Sequence, residues 1–254
     1  MKLIIDGDIV AYKAGFAAEG QGNDYDTAVL CAREYLCWII NEVEQHLKVE
    51  EVEIVVSGKG NYRYDIAKTL PYKGNRTASR KPDHFQTIHD YLQTYWAAER
   101  SENIEADDLM GIKAMQDPDK TCIATIDKDL RMIPCLHYEM NDRGVFKASD
   151  PGFVELDRDK REAKLFGVGY AWFCAQMLIG DRVDNIPGVP NLGPVKAFKA
   201  LEKLKTVEAL YNKVIEIYAE HGIIDRISEI AGLLWILRSY EDLHVIQCTE
   251  YEVK

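Results

Sequence analysis

The 254-residue chain lacks the patterns by which cysteine or histidine commonly marks a metal or a covalent framework. Its six cysteines (Cys31, Cys37, Cys122, Cys135, Cys174 and Cys248) contain no CxxC pair. That excludes the usual zinc and redox signatures and argues against a disulfide scaffold. They read as buried, reduced thiols. The six histidines form no HxxxH or HExxH spacing, so histidine-based metal binding is not expected. No apolar run approaches the ~20 residues that span a bilayer. The opening MKLIIDGDIVAYKAG is broken by Asp6 and Asp8, unlike a secretion signal. The expectation is a soluble, monomeric, cytoplasmic protein with no membrane partner.

Positive charge is also scarce. The net charge is −11, which taken alone speaks against a nucleic-acid partner. Two features qualify that. A site built from carboxylates is itself acidic, and bound divalent cations would neutralise part of it. The positive charge is also concentrated: between Arg63 and Lys81 lie Arg63, Lys68, Lys73, Arg76, Arg80 and Lys81, with Asp65 alone against them. A locally basic segment on an acidic chain suits a protein that grips a phosphate backbone in one place.

Periodicity predicts strands at Lys2 to Ile5, Val52 to Val56 and Thr121 to Ile126. Helical spacing covers about Asp26 to Leu47, Asp83 to Ala98 and Glu105 to Met115. Ser57 to Pro82 carries Gly58, Gly60, Pro71 and Gly74 without periodicity and reads as a loop. Leu136 to Met140 and Val145 to Lys147 flank Asn141-Asp142-Arg143-Gly144, a hairpin pattern. Strands alternating with helices predict a parallel sheet in an α/β core. After about Asp157 the strand signals stop, and helices are expected over Gly169 to Ile179, Pro194 to Leu204, Val207 to His221 and Asp225 to Tyr240. There is no internal repeat and no low-complexity linker.

Acidic residues stand where such a core places ligands. Asp6 closes the first strand in LIIDGD. Glu105, Asp107 and Asp108 open a helix in IEADDLMG. Asp127 and Asp129 follow the third strand in IATIDKD, and Asp181 and Asp184 follow a helix in LIGDRVDN. In an open parallel sheet the C-terminal strand ends line the ligand-binding edge, so Asp6 and Asp127 are expected there. Carboxylates are hard ligands suited to Mg²⁺ or Mn²⁺. Two such ions ~4 Å apart activate water and stabilise the leaving oxygen in phosphoryl transfer. Each acid also has a plainer reading as a turn residue, N-cap or first-turn acid. Spacing by itself says only that an acidic metal site lies at a sheet edge.

In order along the chain, LIIDGD, PYKGNR, EADDLMG, TIDKDL and IGDRVDNIPGV resemble the motifs of the flap endonuclease and 5′→3′ exonuclease superfamily over roughly Lys2 to Leu201. That superfamily includes phage exonucleases and the 5′ nuclease domain of bacterial DNA polymerase I. The resemblance implies a PIN-like α/β core over 1–157, including an arch near 73–100. A helical region over 158–254, packed with the core as one unit, would carry a helix–three-turn–helix. It also implies hydrolysis of DNA phosphodiesters with two divalent ions. Asp6, Glu105, Asp107 and Asp127 would hold the first ion. Asp127, Asp129, Asp181 and Asp184 would hold the second, with Asp108 in support. Lys73 and Arg76 would steer and polarise the scissile phosphate, with Arg80 and Lys81 following in the arch, and Tyr72 would stack on a base. Gly188, Val189, Asn191, Gly193 and Lys196 would grip duplex backbone, with a K⁺ ion often present there, through amides at a helix start.

The small size resembles bacteriophage members, which implies work in replication or primer removal in a host cytoplasm. The chain departs from the family at three places. Ser57 and Gly58 stand where the family has an Asp after the second strand. Asn191 replaces the hairpin's second Gly, and Val195 precedes Lys196 where a Lys is usual. Two rivals follow: a PIN-like ribonuclease acting on RNA or an RNA–DNA hybrid, and a non-catalytic binder of DNA structures.

Overall fold

The structure, a computed structural model, describes residues 1–76, 80–141, 144–157 and 163–249. In chain order its elements are β1 (Lys2–Asp6), α1 (Gly7–Glu19), α2 (Tyr25–Glu44), β2 (Glu51–Lys59), α3 (Arg63–Ile66), α4 (Phe85–Trp96), β3 (Glu99–Glu102), α5 (Ala106–Ala114), β4 (Thr121–Thr125), β5 (Leu136–Glu139) and β6 (Gly144–Lys147). There follow β7 (Phe153–Asp157), β8 (Lys164–Val168), α6 (Gly169–Ile179), β9 (Gly180–Asp181), β10 (Ile186–Pro187), α7 (Pro194–Leu201), α8 (Val207–Glu220), α9 (Ile227–Leu234) and α10 (Tyr240–Thr249). A 3-10 turn spans Asp129–Met132. The chain divides into two compact units, each assembled from separate segments: Met1–Asn61, Ala78–Asp127 and Cys135–Lys147 form the first, and Tyr62–Thr77, Lys128–Pro134 and Ala148–Lys254 the second. No single position near Asp157 separates them.

The first unit is an α/β core around a six-stranded sheet in the order β3-β2-β1-β4-β5-β6. Neighbours are parallel from β3 through β5, and β6 returns antiparallel on β5. Central strands of such sheets are buried on both faces and therefore read as continuous apolar runs. LIID of β1 and TCIAT of β4 do so, and both are buried. The chain adds β2 on one side of β1 and β4 on the other. The strand order thus reverses at β1/β4, the place where open α/β sheets bind ligands.

Helix α1 follows β1 without a spacer, and Gly7 permits it. A Cβ there would lie 2.6 Å from Val56 Cγ1 and 2.8 Å from the Val55 carbonyl. The sequence reading missed this helix because its buried positions are mostly small (Gly7, Val10, Ala11, Ala14, Gly15, Ala18) and form no strong apolar stripe. The segment assigned to an arch holds α4, whose Phe85, Ile88, His89, Tyr91 and Leu92 are buried in this core. The β5–β6 hairpin forms as expected, although Asp142 and Arg143 of its connection lie outside the described residues. Cys31, Cys122, Cys135 and Cys174 are buried, but Cys37 is exposed; the side chain of Cys248 lies outside the described residues.

The second unit is built around α6, buried continuously from Ala171 to Leu178. A helix that is apolar on all sides needs partners on all sides. Helices α7, α8 and α9 and the antiparallel pair β7–β8 supply them. That pair corrects the expectation that strands end near Asp157. The single helix expected over Asp225 to Tyr240 is also corrected: α9 stops at Leu234, and Trp235 is extended. Buried Arg63 explains the stop. Its Nε donates to the Leu233 carbonyl at 2.9 Å and its Nη2 to the Trp235 carbonyl at 2.6 Å, satisfying groups a helix end leaves open. Arg63 therefore belongs to the core and not to a backbone-gripping surface.

Candidate functional site

In the first unit Asp6, Asp107 and Asp127 lie within electrostatic reach of one another beside the β1/β4 reversal. Asp6, 5% exposed, caps α1: its Oδ1 accepts from the amides of Asp8 and Ile9 at 3.1 and 3.2 Å. Its Oδ2 accepts from the Thr125 hydroxyl at 2.9 Å, and the same hydroxyl accepts from the Asp127 amide at 3.0 Å. Thr125, which sequence reasoning overlooked, thus ties together the acids that follow β1 and β4. Burial, reinforced by the Asp8 carboxylate and by Asp127, pushes the Asp6 carboxyl up to about 7 despite these hydrogen bonds.

Glu105 and Asp108 form a capping box at the start of α5, each side chain accepting from the other's amide. Asn61 Nδ2 also donates to Glu105 Oε1 at 2.9 Å. Both acids thus sit at the positive end of α5, as their plainer reading expects, and there close a capping box. Asp107 stands between them in sequence and behaves differently. Burial and then the carboxylates of Asp127, Asp6, Glu105 and Asp108 hold its carboxyl well above the usual range. Packed carboxylates that repel in this way call for a cation or a proton.

Asp8 was not singled out from the sequence, yet it completes this corner. His89 Nε2 lies 3.0 Å from its Oδ1, and both the amide and the hydroxyl of Ser57 donate to it. Burial would raise Asp8, but His89 and Ser57 outweigh it and hold it below the usual carboxylate range. The departure at Ser57-Gly58 now has a physical account. Ser57 serves Asp8, and at Gly58 a Cβ would sit 1.6 Å from the Ser101 carbonyl of β3.

The second unit holds Asp129, Asp181 and Asp184, and there each acid meets a cation. Lys128 Nζ donates to Asp129 Oδ1 at 2.8 Å and to Asp181 Oδ2 at 2.5 Å. Burial would lower this ammonium, but Asp129 and Asp181 outweigh it and hold it above the usual lysine range. Asp181, 7% exposed, also accepts from the Val183 amide at 2.7 Å. Burial would raise its carboxyl; Lys128 and the backbone amides hold it below the ordinary value. Asp184 accepts from Arg76 Nη2 and, at 2.8 Å, from the Tyr72 hydroxyl, with Lys73 Nζ 3.7 Å away. Backbone and amide contacts lace the 71–76 turn to the 181–185 turn: Lys73 N to the Asp184 carbonyl, Asn75 Nδ2 to the Arg182 carbonyl and Asn185 Nδ2 to the Pro71 carbonyl.

Two residues expected to touch DNA are buried. Tyr72 is 4% exposed, with its hydroxyl spent on Asp184, so it presents no face for a base. Val189 is 4% exposed, and its amide donates to the Leu178 carbonyl at 2.8 Å. Asn191, Gly193 and Lys196 remain exposed at the start of α7, where Pro194 takes the first helical position. Asn191 adopts φ 59°, the left-handed conformation Gly would otherwise supply. Gly188 packs closely: a Cβ would lie 2.3 Å from the Ile179 carbonyl carbon. In the first unit, exposed Arg80 pairs with Glu19 at 2.9 Å and Lys81 lies 4.3 Å above the Phe85 ring.

Among the described residues, no three His, Cys, Asp or Glu side chains stand as a ready-made metal-ligand set. Their oxygens are turned onto amides, hydroxyls and ammonium groups of the protein. The donor chemistry still fits a hard divalent cation, because the first unit's carboxylates are oxygen ligands, and burial together with neighbouring carboxylates raises Asp6 and Asp107. No helix among the described residues is long and apolar enough to cross a membrane.

No protein-family profile matches the chain. It is 30% identical over 231 residues to DNA polymerase I of Bacillus caldotenax, covering 86% of this chain and 25% of that protein. It is 28% identical over 223 residues to a 5′-3′ exonuclease of Buchnera aphidicola, covering 85% of this chain and 74% of that protein. The chain therefore spans about a quarter of the length of its polymerase relatives. Its fold matches that of the bacteriophage T5 flap endonuclease. One solved form, a pseudo-enzyme-product complex with DNA and metal ions, gives a TM-score of 0.55 at 14% identity, over 91% of this chain and 92% of that one. A second form, crystallised with metal ions, gives 0.54 at 13% identity, over 100% and 99%. Its sequence relatives are thus bacterial DNA polymerase I and a 5′-3′ exonuclease, and the fold it shares is that of the bacteriophage T5 flap endonuclease.

Proposed function

We propose that the protein is a divalent-cation-dependent 5′ nuclease that engages DNA beside a free 5′ end or flap and hydrolyses its phosphodiester bonds. The observation that carries this reading is the crowding around Asp107. Burial first, and then four other carboxylates, raise this acid beside the strand-order reversal. A fold seldom keeps such repulsion unless a cation relieves it.

In this reading Asp6, Glu105, Asp107 and Asp127 hold one Mg²⁺ or Mn²⁺ ion, with Asp108 fixing the start of α5. Asp127, Asp129, Asp181 and Asp184 are the ligands of a second. The ions, when bound, activate water and stabilise the departing oxygen. Lys73 and Arg76 attract and orient the phosphate, being cations held on a tied turn. Exposed Asn191 and Gly193, with Lys196, grip backbone without reading sequence, and a K⁺ ion there belongs to the same reading. Arg80 and Lys81 add backbone contacts. A phage protein working in replication or primer removal, as a monomer in the cytoplasm, belongs to the same reading, supported by the fold likeness to the T5 flap endonuclease.

The test is to incubate the pure protein with 5′-labelled flap duplex, single-stranded RNA and RNA–DNA hybrid, with and without Mg²⁺. Mg²⁺-dependent release of short products from the flap duplex is the expected result. Cutting of RNA alone would favour the ribonuclease reading. Flap binding without products at any Mg²⁺ concentration would overturn the enzymatic one.

A further inference from the structure

Between Asp127 and Asp129 the sequence places a lysine that the metal-site reading does not use. Lys128 lies with its ammonium between Asp129 Oδ1 at 2.8 Å and Asp181 Oδ2 at 2.5 Å. The arrangement is built from several sides. Trp172 Nε1 donates to the Lys128 carbonyl at 3.0 Å and fixes the backbone. Gln176 Nε2 donates to Asp129 Oδ1 at 2.5 Å and fixes the carboxylate. Trp172 and Gln176 are one turn apart on α6 and are 2% and 1% exposed. The Val183 amide holds the other oxygen of Asp181 at 2.7 Å. Carboxylates from two separate stretches of chain thus share one positive charge on a fixed frame.

We propose that Lys128 is a resident counter-ion and a positioning residue for the Asp129–Asp181 pair, and that a divalent cation binds these acids by displacing its ammonium. This rests on the metal-dependent reading above. A bound Mg²⁺ or Mn²⁺ and the ammonium want the same lone pairs. Whichever occupies them excludes the other, so Lys128 weakens cation binding in the DNA-free protein. It also keeps the two carboxylates together while no cation is bound. The displaced ammonium, on a flexible four-carbon stem, becomes free to pair with an anion such as a phosphate oxygen.

The experiment uses the whole 254-residue chain, free of DNA, and Mn²⁺ as probe, with binding followed by electron paramagnetic resonance. Lys128→Met keeps the apolar stem and removes the charge; Lys128→Gln serves if it does not fold. The expected result is a second Mn²⁺ event at least about tenfold tighter than in the wild type. Lys199→Met, an equal change of net charge elsewhere in the second unit, should leave the isotherm unmoved. Thermal stability should fall in Lys128→Met without metal and be restored by Mn²⁺, whereas a purely structural lysine would cost the same at every Mn²⁺ concentration. In the wild type, the slowly exchanging Lys128 ammonium signal in lysine-detected nuclear magnetic resonance should disappear on Mg²⁺ titration. If the wild type binds one Mn²⁺ that Asp107→Asn abolishes, while Lys128→Met binds no more than the wild type, the role of Lys128 is overturned and the nuclease reading stands. Failure of every variant to bind Mn²⁺ would overturn both.

Discussion

In the first unit Asp6 and Asp107 are raised by burial and by other acids, whereas in the second Asp181 is lowered by Lys128 and Asp184 is held by Arg76, Lys73 and Tyr72. The same side-chain type therefore sits in opposite electrostatic states. The first group is left in want of positive charge. The second already has it, from side chains of its own unit. Carboxylate count alone is a poor guide to where a cation binds most readily; the neighbours' charge decides.

The largest expected effect comes from neutralising the crowded acids. Asp107→Asn or Asp127→Asn should cut Mg²⁺-dependent cleavage by at least ~10²-fold, since even indirect supports of metal ligands cost 10–100-fold. Asp107→Asn should also raise the melting temperature of the metal-free protein, by about a few degrees. A fall in metal-free melting temperature would break the contrast at its first half.

Asp181→Asn should act in the opposite sense on stability. It leaves one acceptor oxygen where two served Lys128 and the Val183 amide and sets an NH₂ donor against the other, at roughly 2 kcal/mol for the charge and the donor left unsatisfied. Urea unfolding of the metal-free variant measures it, and an unchanged midpoint would remove the second half. Thr125→Val should cost less, about 1 kcal/mol. It should also weaken Mn²⁺ binding in the first unit, because Asp6 and the Asp127 amide lose their shared hydroxyl; calorimetric titration reads this.

The two groups should also part with pH. Asp6 is raised from 3.8 to about 7, so the metal-free folded state holds this proton more tightly than the unfolded chain does. Its contribution is complete below about pH 4 and is lost as pH rises towards 7. Asp181 is lowered, so its contribution is present above the unfolded value and is lost on acidification. Melting curves between pH 4 and 8 should fall across pH 5–7 without Mg²⁺ and flatten with it, and Mg²⁺ binding near pH 6.5 should release protons. A Mg²⁺-independent profile would undo this last distinction.

Much of the architecture was legible because it rests on patterns a chain displays locally. The apolar runs of β1 and β4 announced central strands, and α6 was bounded at Gly169 and Ile179 by its length and hydrophobicity. The acids at strand ends followed from where parallel sheets keep their ligands. The elements missed were those whose partners lie far away in sequence. β3, with the sequence ERSE, is an edge strand without an apolar run. The end of α9 depends on Arg63, some 170 positions earlier. His89 reaches Asp8, and Lys128 reaches Asp181, by folding alone. Tyr72 and Val189 looked like surface contacts because a loop motif does not say which of its residues turns inward.

The contact between Gly58 and the Ser101 carbonyl sets a limit on how this corner can be re-engineered. An extra carboxylate cannot be grafted at position 58 by one codon change, because even a methyl group would collide with main chain that has nowhere to retreat without parting β2 from β3. Position 57 is open to change, but a carboxylate there would displace the hydroxyl donor on which Asp8 depends and set two negative charges side by side. The remaining neighbour of Asp8, His89, is buried beside Phe85, so exchanging it for an acid would remove the partner that holds Asp8 down and add a second buried negative charge.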